Sequence, residues 1–230
     1  MERLDKILSD AQVASRRELK PIIKAGRVRV NGAVITKPEQ KFDRESSEIL
    51  VDGAPIRREK TVVVLLHKPA GVVTSTEDSR DKTVLDILPK QYGTLHPIGR
   101  LDKETEGLLL LTNDGLLTHH LISPSHQVEK IYYAKHENSA TKEDVEAFAK
   151  GLILANGDVC LPAKLESLGA GESRIIICQG MYHQVRRMMA SRQMHVTYLR
   201  REGEANLRLS PLAVGDFREL TGEEVENLRL

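Results

Sequence analysis

Near the N-terminus, Leu4, Ile7, Leu8 and Ala11 recur at helical spacing, which predicts a first helix. Ser15 opens a second. With Glu18 three residues on it forms a capping box, in which hydroxyl and carboxylate satisfy amides that a helix start leaves bare, and Gly26 supplies the stop. Pro21 deletes a backbone donor inside that helix and predicts a kink or a late start. Arg27-Val-Arg-Val-Asn-Gly then alternates base and valine and ends in a hairpin dipeptide, so Arg27 and Arg29 should share one face of a small hairpin.

After the charged run Arg57-Arg-Glu-Lys60, read as a linker between residues 1–58 and 59–230, the pattern changes. Val62–Leu66 is a continuous apolar strand, broken by His67-Lys-Pro-Ala-Gly71, and Val72–Ser75 continues as a strand. A polar loop at 78–82 and a short helix over Val84–Leu88 follow. Leu108–Thr112 reads as a buried strand, after which Asp114 caps a helix over Gly115–Leu121 that stops before Pro124. Strands are expected at Lys130–Lys135, Gly151–Leu154 and Arg174–Cys178, and helices at Thr141–Lys150 and His183–Ser191. Strands and helices interleave irregularly, which favours an α+β fold with a mixed, largely antiparallel sheet over a doubly wound one.

Composition narrows the function classes. Of 230 residues, 40 % are hydrophobic and 29 % charged, the balance of a folded soluble protein rather than a disordered chain. No apolar run approaches the roughly 20 residues of a membrane helix, and the start lacks the apolar core of a signal peptide, so an untargeted cytoplasmic protein is expected. Two cysteines, Cys160 and Cys178, without metal-ligand spacing imply neither a disulfide framework nor a structural metal. Aromatics at 3 % exclude broad base-stacking platforms. The net charge of +1 conceals an asymmetry, since residues 1–58 hold 13 bases against 9 acids. A second basic island, Arg186, Arg187, Arg192, Arg200 and Arg201, contains no acid. Two such patches suit a polyanion gripped at two places.

One carboxylate stands out. Asp102 lies between Gly99 and Gly107, just before a wholly apolar strand, with Arg100 two residues away and Thr105 three. A carboxylate kept ionised by a nearby cation can act as nucleophile or base. From composition alone it is one more surface acid among Lys103, Glu104 and Glu106. Asp114, within Asn113-Asp-Gly ahead of a helix, is turn and cap chemistry. A metal-dependent phosphodiesterase built on Asp102 and Asp114 is disfavoured, because a strand separates them and no third acid or His stands at ligand spacing.

Arg3-Leu-Asp-Lys, Ser15-Arg-Arg and Gly26-Arg-Val-Arg-Val-Asn-Gly together resemble the S4 RNA-binding domain. The resemblance implies phosphate contacts from Arg3, Lys6, Arg16, Arg17, Lys20, Arg27 and Arg29. Further on, Gly99-Arg-Leu-Asp102 with Thr105 and Gly107-Leu-Leu-Leu-Leu-Thr-Asn-Asp-Gly115 is similar to the active-site segment of the RsuA-type ribosomal pseudouridine synthases. Lys68-Pro-Ala-Gly71 matches their Lys-Pro-x-Gly turn, although His67 stands where Asn is usual. Glu129-Lys-Ile-Tyr132 and Gly180-Met-Tyr-His-Gln-Val-Arg-Arg-Met188 match two later motifs, in the family's order.

By that resemblance Asp102 is the catalytic carboxylate, Tyr132 packs on the target base, and Arg186 pairs with Asp102, with Arg187 as the adjacent alternative. Ile177 would wall the pocket, Lys68 would belong to it, and Arg100 would hold the space left by the flipped nucleotide. His183, Gln184 and Arg187 would contact RNA. The reaction adds and oxidises nothing, so no cofactor or metal is expected. The partner would be ribosomal RNA, free or in an assembling particle, engaged by a monomer. The Tyr182-His183-Gln184 form resembles the small-subunit branch, which implies the uridine known as position 516 of 16S rRNA. A 23S target, or an inactive rRNA-binding assembly factor, are the alternatives.

Overall fold

The capping box forms: Glu18 N donates to Ser15 Oγ at 3.4 Å while Ser15 N donates to the Glu18 carboxylate at 3.0 Å. The structure is a computed structural model describing residues 1–11, 13–44, 46–56 and 61–230. The chain divides into two compact units, Met1–Lys60 and Thr61–Leu230; the linker read at Arg57–Lys60 lies outside the described residues.

In the first unit, β1 (Glu2–Arg3) leads into α1 (Leu4–Asp10) and α2 (Arg16–Lys24). Then come β2 (Val28–Val30), β3 (Ala33–Ile35), β4 (Lys41–Phe42), β5 (Ile49–Val51) and β6 (Ala54–Pro55). Strands β3-β2-β5-β6 form one sheet and β1-β4 a second pair. Asn31 and Gly32 both take positive φ, 48° and 80°, as the hairpin turn requires. Leu4, Ile7 and Leu8 of α1 pack with Leu19 and Ile23 of α2 on Val28, Val30, Ile35 and Ile49. Pro21 does not delay α2: the helix is assigned from Arg16, next to its cap, and runs through an exposed Pro21.

The second unit contains β7 (Val63–Lys68), β8 (His96–Ile98), β9 (Glu106–Thr112), α3 (Gly115–Ile122), β10 (Lys130–His136) and α4 (Lys142–Lys150). It continues with β11 (Lys164–Gly169), β12 (Glu172–Ile177), α5 (Gln184–Ala190), β13 (Val196–Glu204), β14 (Leu207–Arg208), β15 (Phe217–Glu219) and α6 (Gly222–Asn227). The main sheet runs β11-β12-β10-β13-β9-β7-β15, with β14 on β13 and β8 on β9. Strands β9 and β13 are parallel and the other pairs antiparallel, the mixed sheet expected. Both faces are covered. Val64, Leu66, Leu109 and Leu111 belong to one core cluster, Val63, Leu65, Leu108 and Leu110 to another, which is why β7 and β9 read as unbroken apolar runs.

Three expected elements differ. Val72–Ser75 is not a strand but makes a single bridge, Val73 to Thr83. Val84–Leu88 is a turn rather than a helix: Thr83 and Asp86 make the reciprocal bonds of a helix start, Asp86 Oδ2 accepting from Thr83 N at 2.8 Å and Asp86 N donating to Thr83 Oγ1 at 3.3 Å, but Pro89 follows too soon for a helix to propagate. Gly151–Leu154 contributes one bridge, Ile153 to Val159. Strands β11 and β13 carry no simple alternation of apolar and polar residues, so the sequence pattern does not announce them.

Gly107 is the tightest position in the sheet. Its φ is +114°, and a Cβ there would sit 2.2 Å from Arg201 O and 2.6 Å from Arg201 N. At Gly32, also at positive φ, an added Cβ meets nothing within 4 Å. Gly107→Ala should therefore lower the unfolding free energy by about 3 kcal/mol or more, and Gly32→Ala by only about 1 kcal/mol. Urea unfolding curves of the two variants check this; equal destabilisation would refute the close-approach argument.

Candidate active site

Pairing across the sheet brings distant segments into one row. Gly107 of β9 pairs with Lys68 of β7 on one side and Arg201 of β13 on the other. Arg201 pairs with Tyr132 of β10, and Tyr132 with Ile175 of β12. Paired residues share a face, here the one on which Val185, Met188 and Met189 of α5 pack with Leu66, Leu109 and Tyr132.

The loop preceding β9 is fastened over this row. Lys68 is fully buried, and its Nζ donates to Pro69 O (2.9 Å), Lys103 O (3.1 Å) and Thr105 O (2.9 Å). An ammonium has three donors, so its capacity is used in full. Burial pushes the Lys68 pKa down to about 8, an effect opposed by Glu104, Asp102 and Glu106. Thr74 Oγ1 donates to Leu101 O at 2.7 Å and accepts from Leu101 N at 3.1 Å. Gly71 N donates to Lys103 O at 2.9 Å, and Thr105 N to Asp102 O at 3.0 Å. Residues 101–105 are thus held mainly through their backbone, which leaves the Asp102 carboxylate free to face outward.

That carboxylate is half-buried and meets an imidazole and a guanidinium at the start of α5. His183 Nε2 lies 3.4 Å from Asp102 Oδ1, and Arg186 Nε 3.8 Å from Oδ2. Arg186 is steadied by a bond from Nη1 to Val196 O at 3.3 Å. Arg187, the alternative partner, points elsewhere: its Nη2 bonds Asp158 Oδ2 at 2.8 Å and its Nη1 bonds Tyr182 O at 3.2 Å. His183 takes a left-handed backbone (φ 47°) at the helix start. Tyr132 is buried, which raises its phenol pKa and keeps it neutral.

Other expected site residues fall in varied places. Ile177 is buried in β12 within the same core, and Arg100 is exposed. Gln184, expected at the RNA, is 4 % exposed, its Oε1 accepting from Met181 N at 3.0 Å and its Nε2 donating to Gln179 Oε1 at 3.3 Å. The second basic island is largely neutralised. Arg192 pairs with Asp144 at 2.7 Å, Arg200 with Glu202 at 2.6 Å, and Arg201 is 1 % exposed. Arg201 Nε donates to Leu108 O at 2.7 Å, and its Nη2 lies 3.3 Å from Glu204 Oε2 and beside Tyr132. Lys130 adds a second cation 3.9 Å from Glu204. This buried cluster under Tyr132 is hidden in the sequence, where Arg201 reads as one more surface base. The one signal for it is the buried alternation Leu199, Arg201, Gly203, which shows only once β13 is recognised as a strand. Removing one partner of such a cluster strands a buried charge, at about 3–5 kcal/mol.

In the first unit the bases divide into tethered and open ones. Arg3 forks onto Asp5 (Nε–Oδ1 3.0 Å, Nη2–Oδ2 2.8 Å), Arg16 reaches the same carboxylate at 3.3 Å, and Lys6 bonds Glu2 at 2.9 Å. Arg27 forks onto Asp52, with Nε–Oδ1 at 2.7 Å, while Arg29 Nη1 bonds Gly32 O at 3.1 Å. Arg17 and Lys20 are exposed and carry no ion pair among the described residues. With Arg3, Asp5 and Arg16 they line a hollow of about 350 Å³, four bases to one acid. Among the described residues no group of three His, Cys, Asp or Glu is arranged to hold a metal, and no helix is long and apolar enough to cross a membrane.

Residues 62–191 match the family described as RNA pseudouridylate synthase, and residues 2–49 match the S4 domain. The chain is 40 % identical to "Ribosomal large subunit pseudouridine synthase B" of Bacillus subtilis, covering 100 % of this chain and 96 % of that one. It is 38 % identical to "Ribosomal small subunit pseudouridine synthase A" of Pseudomonas aeruginosa, over 97 % of this chain and 98 % of the relative. Among solved structures, one described as a pseudouridylate synthase superposes with a TM-score of 0.72 at 31 % identity, over 99 % of this chain and 100 % of that one. The β9 loop with its carboxylate, the α5 side chains that meet it and the leading helix-helix-hairpin unit therefore sit in a chain that belongs to the RNA pseudouridine synthase family, isomerases that convert uridine to pseudouridine in RNA.

Proposed function

We propose that this protein isomerises one uridine of ribosomal RNA, at position 516 of the 16S molecule, with Asp102 as the catalytic carboxylate. The observation that carries this reading is Asp102 itself: a half-buried acid on a loop fastened by Lys68, flanked by Arg186 and His183. An adjacent guanidinium favours the ionised carboxylate. The carboxylate either attacks C1′, forming an ester whose C1′–O bond breaks when C5 joins C1′, or removes the C2′ proton to leave a glycal and returns it to C2′ as C5 adds. By either route the N1–C1′ bond breaks, the uracil turns, a C5–C1′ bond forms, and the C5 proton is released while N1 gains one.

Tyr132 is the neutral aromatic against which the base packs, Ile177 closes the apolar side of the pocket, and Arg100 fills the space the uridine vacates. The target must leave its stack at a cost of a few kcal/mol. Phosphate contacts offset that cost, from Arg3, Arg16, Arg17, Lys20, Arg27 and Arg29 within an S4-like domain of residues 1–58, and from the synthase domain of residues 59–230. A monomer acting on RNA, free or in an assembling particle, meets these needs. The Tyr182-His183-Gln184 run supports the small-subunit target. The 40 % identity to a relative named for the large subunit supports a 23S uridine as the second reading.

Pseudouridine mapping by carbodiimide modification and reverse-transcription stops, on rRNA from cells with and without this protein, separates these readings. Loss of one 16S stop is expected. Loss of a 23S stop would move the target but keep the chemistry, and an unchanged pattern would leave an assembly factor. In vitro, Asp102→Asn should cut the single-turnover rate by more than about a thousandfold while RNA affinity stays within about threefold.

Lys68 gives the reaction a pH dependence. Its folded pKa of about 8 lies below the ordinary 10.5, so the ammonium is complete only well below pH 8 and is lost as pH rises through that value, whereas the unfolded chain keeps the proton to about 10.5. The neutral amine has one donor fewer for the three carbonyls. The single-turnover rate should therefore fall between pH 7 and 9. Lys68→Met, checked as folded by circular dichroism, should be slower throughout and lack this alkaline limb. A flat wild-type profile would refute it.

Removing residues 1–58 should weaken rRNA binding at least tenfold and flatten its salt dependence, since the slope falls by about one for every phosphate the protein no longer neutralises. The remaining fragment should keep its circular dichroism spectrum; loss of that spectrum would overturn the division.

A further inference from the structure

Beside Asp102 stands an aromatic pair, His183 and Tyr182, and to its outer member the chemistry above assigns no task. The Tyr182 and His183 rings are stacked, with centroids 3.9 Å apart and planes 17° from parallel. The inner ring, His183, reaches Asp102 with Nε2 at 3.4 Å. The outer ring, Tyr182, is 77 % exposed, in a protein where aromatics are scarce. An aromatic left this open loses the benefit of burial, yet the segment beneath it is tightly specified. Arg187 Nη1 holds Tyr182 O at 3.2 Å, buried Gln184 holds Met181 N at 3.0 Å, and His183 accepts a left-handed backbone. Arg187 is itself anchored on Asp158 at 2.8 Å.

We propose that Tyr182, backed by His183, is a stacking platform for the nucleobase adjacent to the target uridine, a positioning device that holds the strand once the uridine has left its stack. This rests on the reading of Asp102 as the catalytic carboxylate, and goes beyond it by assigning how the flanking nucleotide is recognised. Withdrawing a base from a strand leaves a neighbour with one bare face. Tyr182 offers a bare face of matching kind, in a column that runs from Asp102 through His183 to Tyr182. Because every base has a π-face, such a platform tolerates any flanking base, with purines held more firmly than pyrimidines. His183 is the second element of the platform: its ring fixes the tilt of Tyr182, and its Nε2 ties that tilt to the reacting carboxylate.

The test uses full-length protein and an rRNA fragment carrying the uridine located by mapping. Tyr182→Ala should raise the half-saturating RNA concentration in single turnover about tenfold with the saturated rate within about threefold, whereas Tyr182→Phe, which keeps the ring, should stay within about twofold. With an abasic nucleotide placed on the 5′ or the 3′ side of the target, one of the two RNAs should cost the wild type the same factor and Tyr182→Ala nothing further. A 2-aminopurine at that position should be quenched on binding to the wild type and to the Asp102→Asn protein, but not to Tyr182→Ala. Unchanged saturation by Tyr182→Ala, or fully additive losses with both abasic RNAs, would overturn the platform while the Asp102 chemistry stood. Wild-type protein that forms no pseudouridine, or Asp102→Asn protein of full activity, would overturn the reading beneath it and the platform with it.

Discussion

The close backbone approach of Gly107 to Arg201 is the constraint on which the rest of the second unit depends. Strand β9 must approach parallel β13 so nearly that no side chain fits between them. The same residue pairs with Lys68 on the opposite side, so β9 is held between both neighbours at this point. The strand residues of the candidate site, and the loop that carries Asp102, are hung from this row. Lys68 rises from it to fasten the loop, Tyr132 sits two strands along, and Asp102 stands five residues before it. A loop of this kind is positioned by the sheet beneath it rather than by its own side chains.

Buried cations divide the labour around that row. Lys68 spends its ammonium on three backbone carbonyls and makes no side-chain ion pair among the described residues, so it acts as a rigid clip. Arg201 and Lys130 converge on Glu204 beneath Tyr132, where the pair Arg201–Glu204 is almost wholly withdrawn from water. Such charges cost desolvation and return it only when their partners are fixed, so they specify one geometry more than they add stability. Asp102 differs in kind: the His183 ring and the Arg186 guanidinium stand at 3.4 and 3.8 Å, beyond a tight bond, on a carboxylate still open to solvent. Structural charges here are closed, and the carboxylate proposed to react is left accessible.

The same distinction applies to the basic residues of the surface. Counting Lys and Arg gives two positive patches, but most members of the second are neutralised by Asp144, Glu202 or Glu204. Among the described bases of the first unit, Arg17 and Lys20 stand open beside the hollow they line with Arg3 and Arg16. A phosphate entering that hollow would compete with Asp5 for the forked guanidinium of Arg3, so binding there exchanges one anion for another instead of meeting bare charge.

Local chemistry was legible in the sequence. The Ser15–Glu18 capping box, the Asn31-Gly32 turn, the apolar runs of β7 and β9 and the Asp114 cap each depend on residues a few positions apart, and each forms as the residue types require. The motif around Asp102 was legible too, and identified the family. Tertiary structure alone decided which arginine meets Asp102, because Arg186 and Arg187 are neighbours whose directions depend on how α5 rolls against the sheet. It decided as well that Gln184 and Arg201 lie inside and that Val72–Ser75 makes only one bridge. Those outcomes follow from pairing between segments many tens of residues apart. A charged side chain reads the same in the sequence whether the partner that neutralises it is brought near or not.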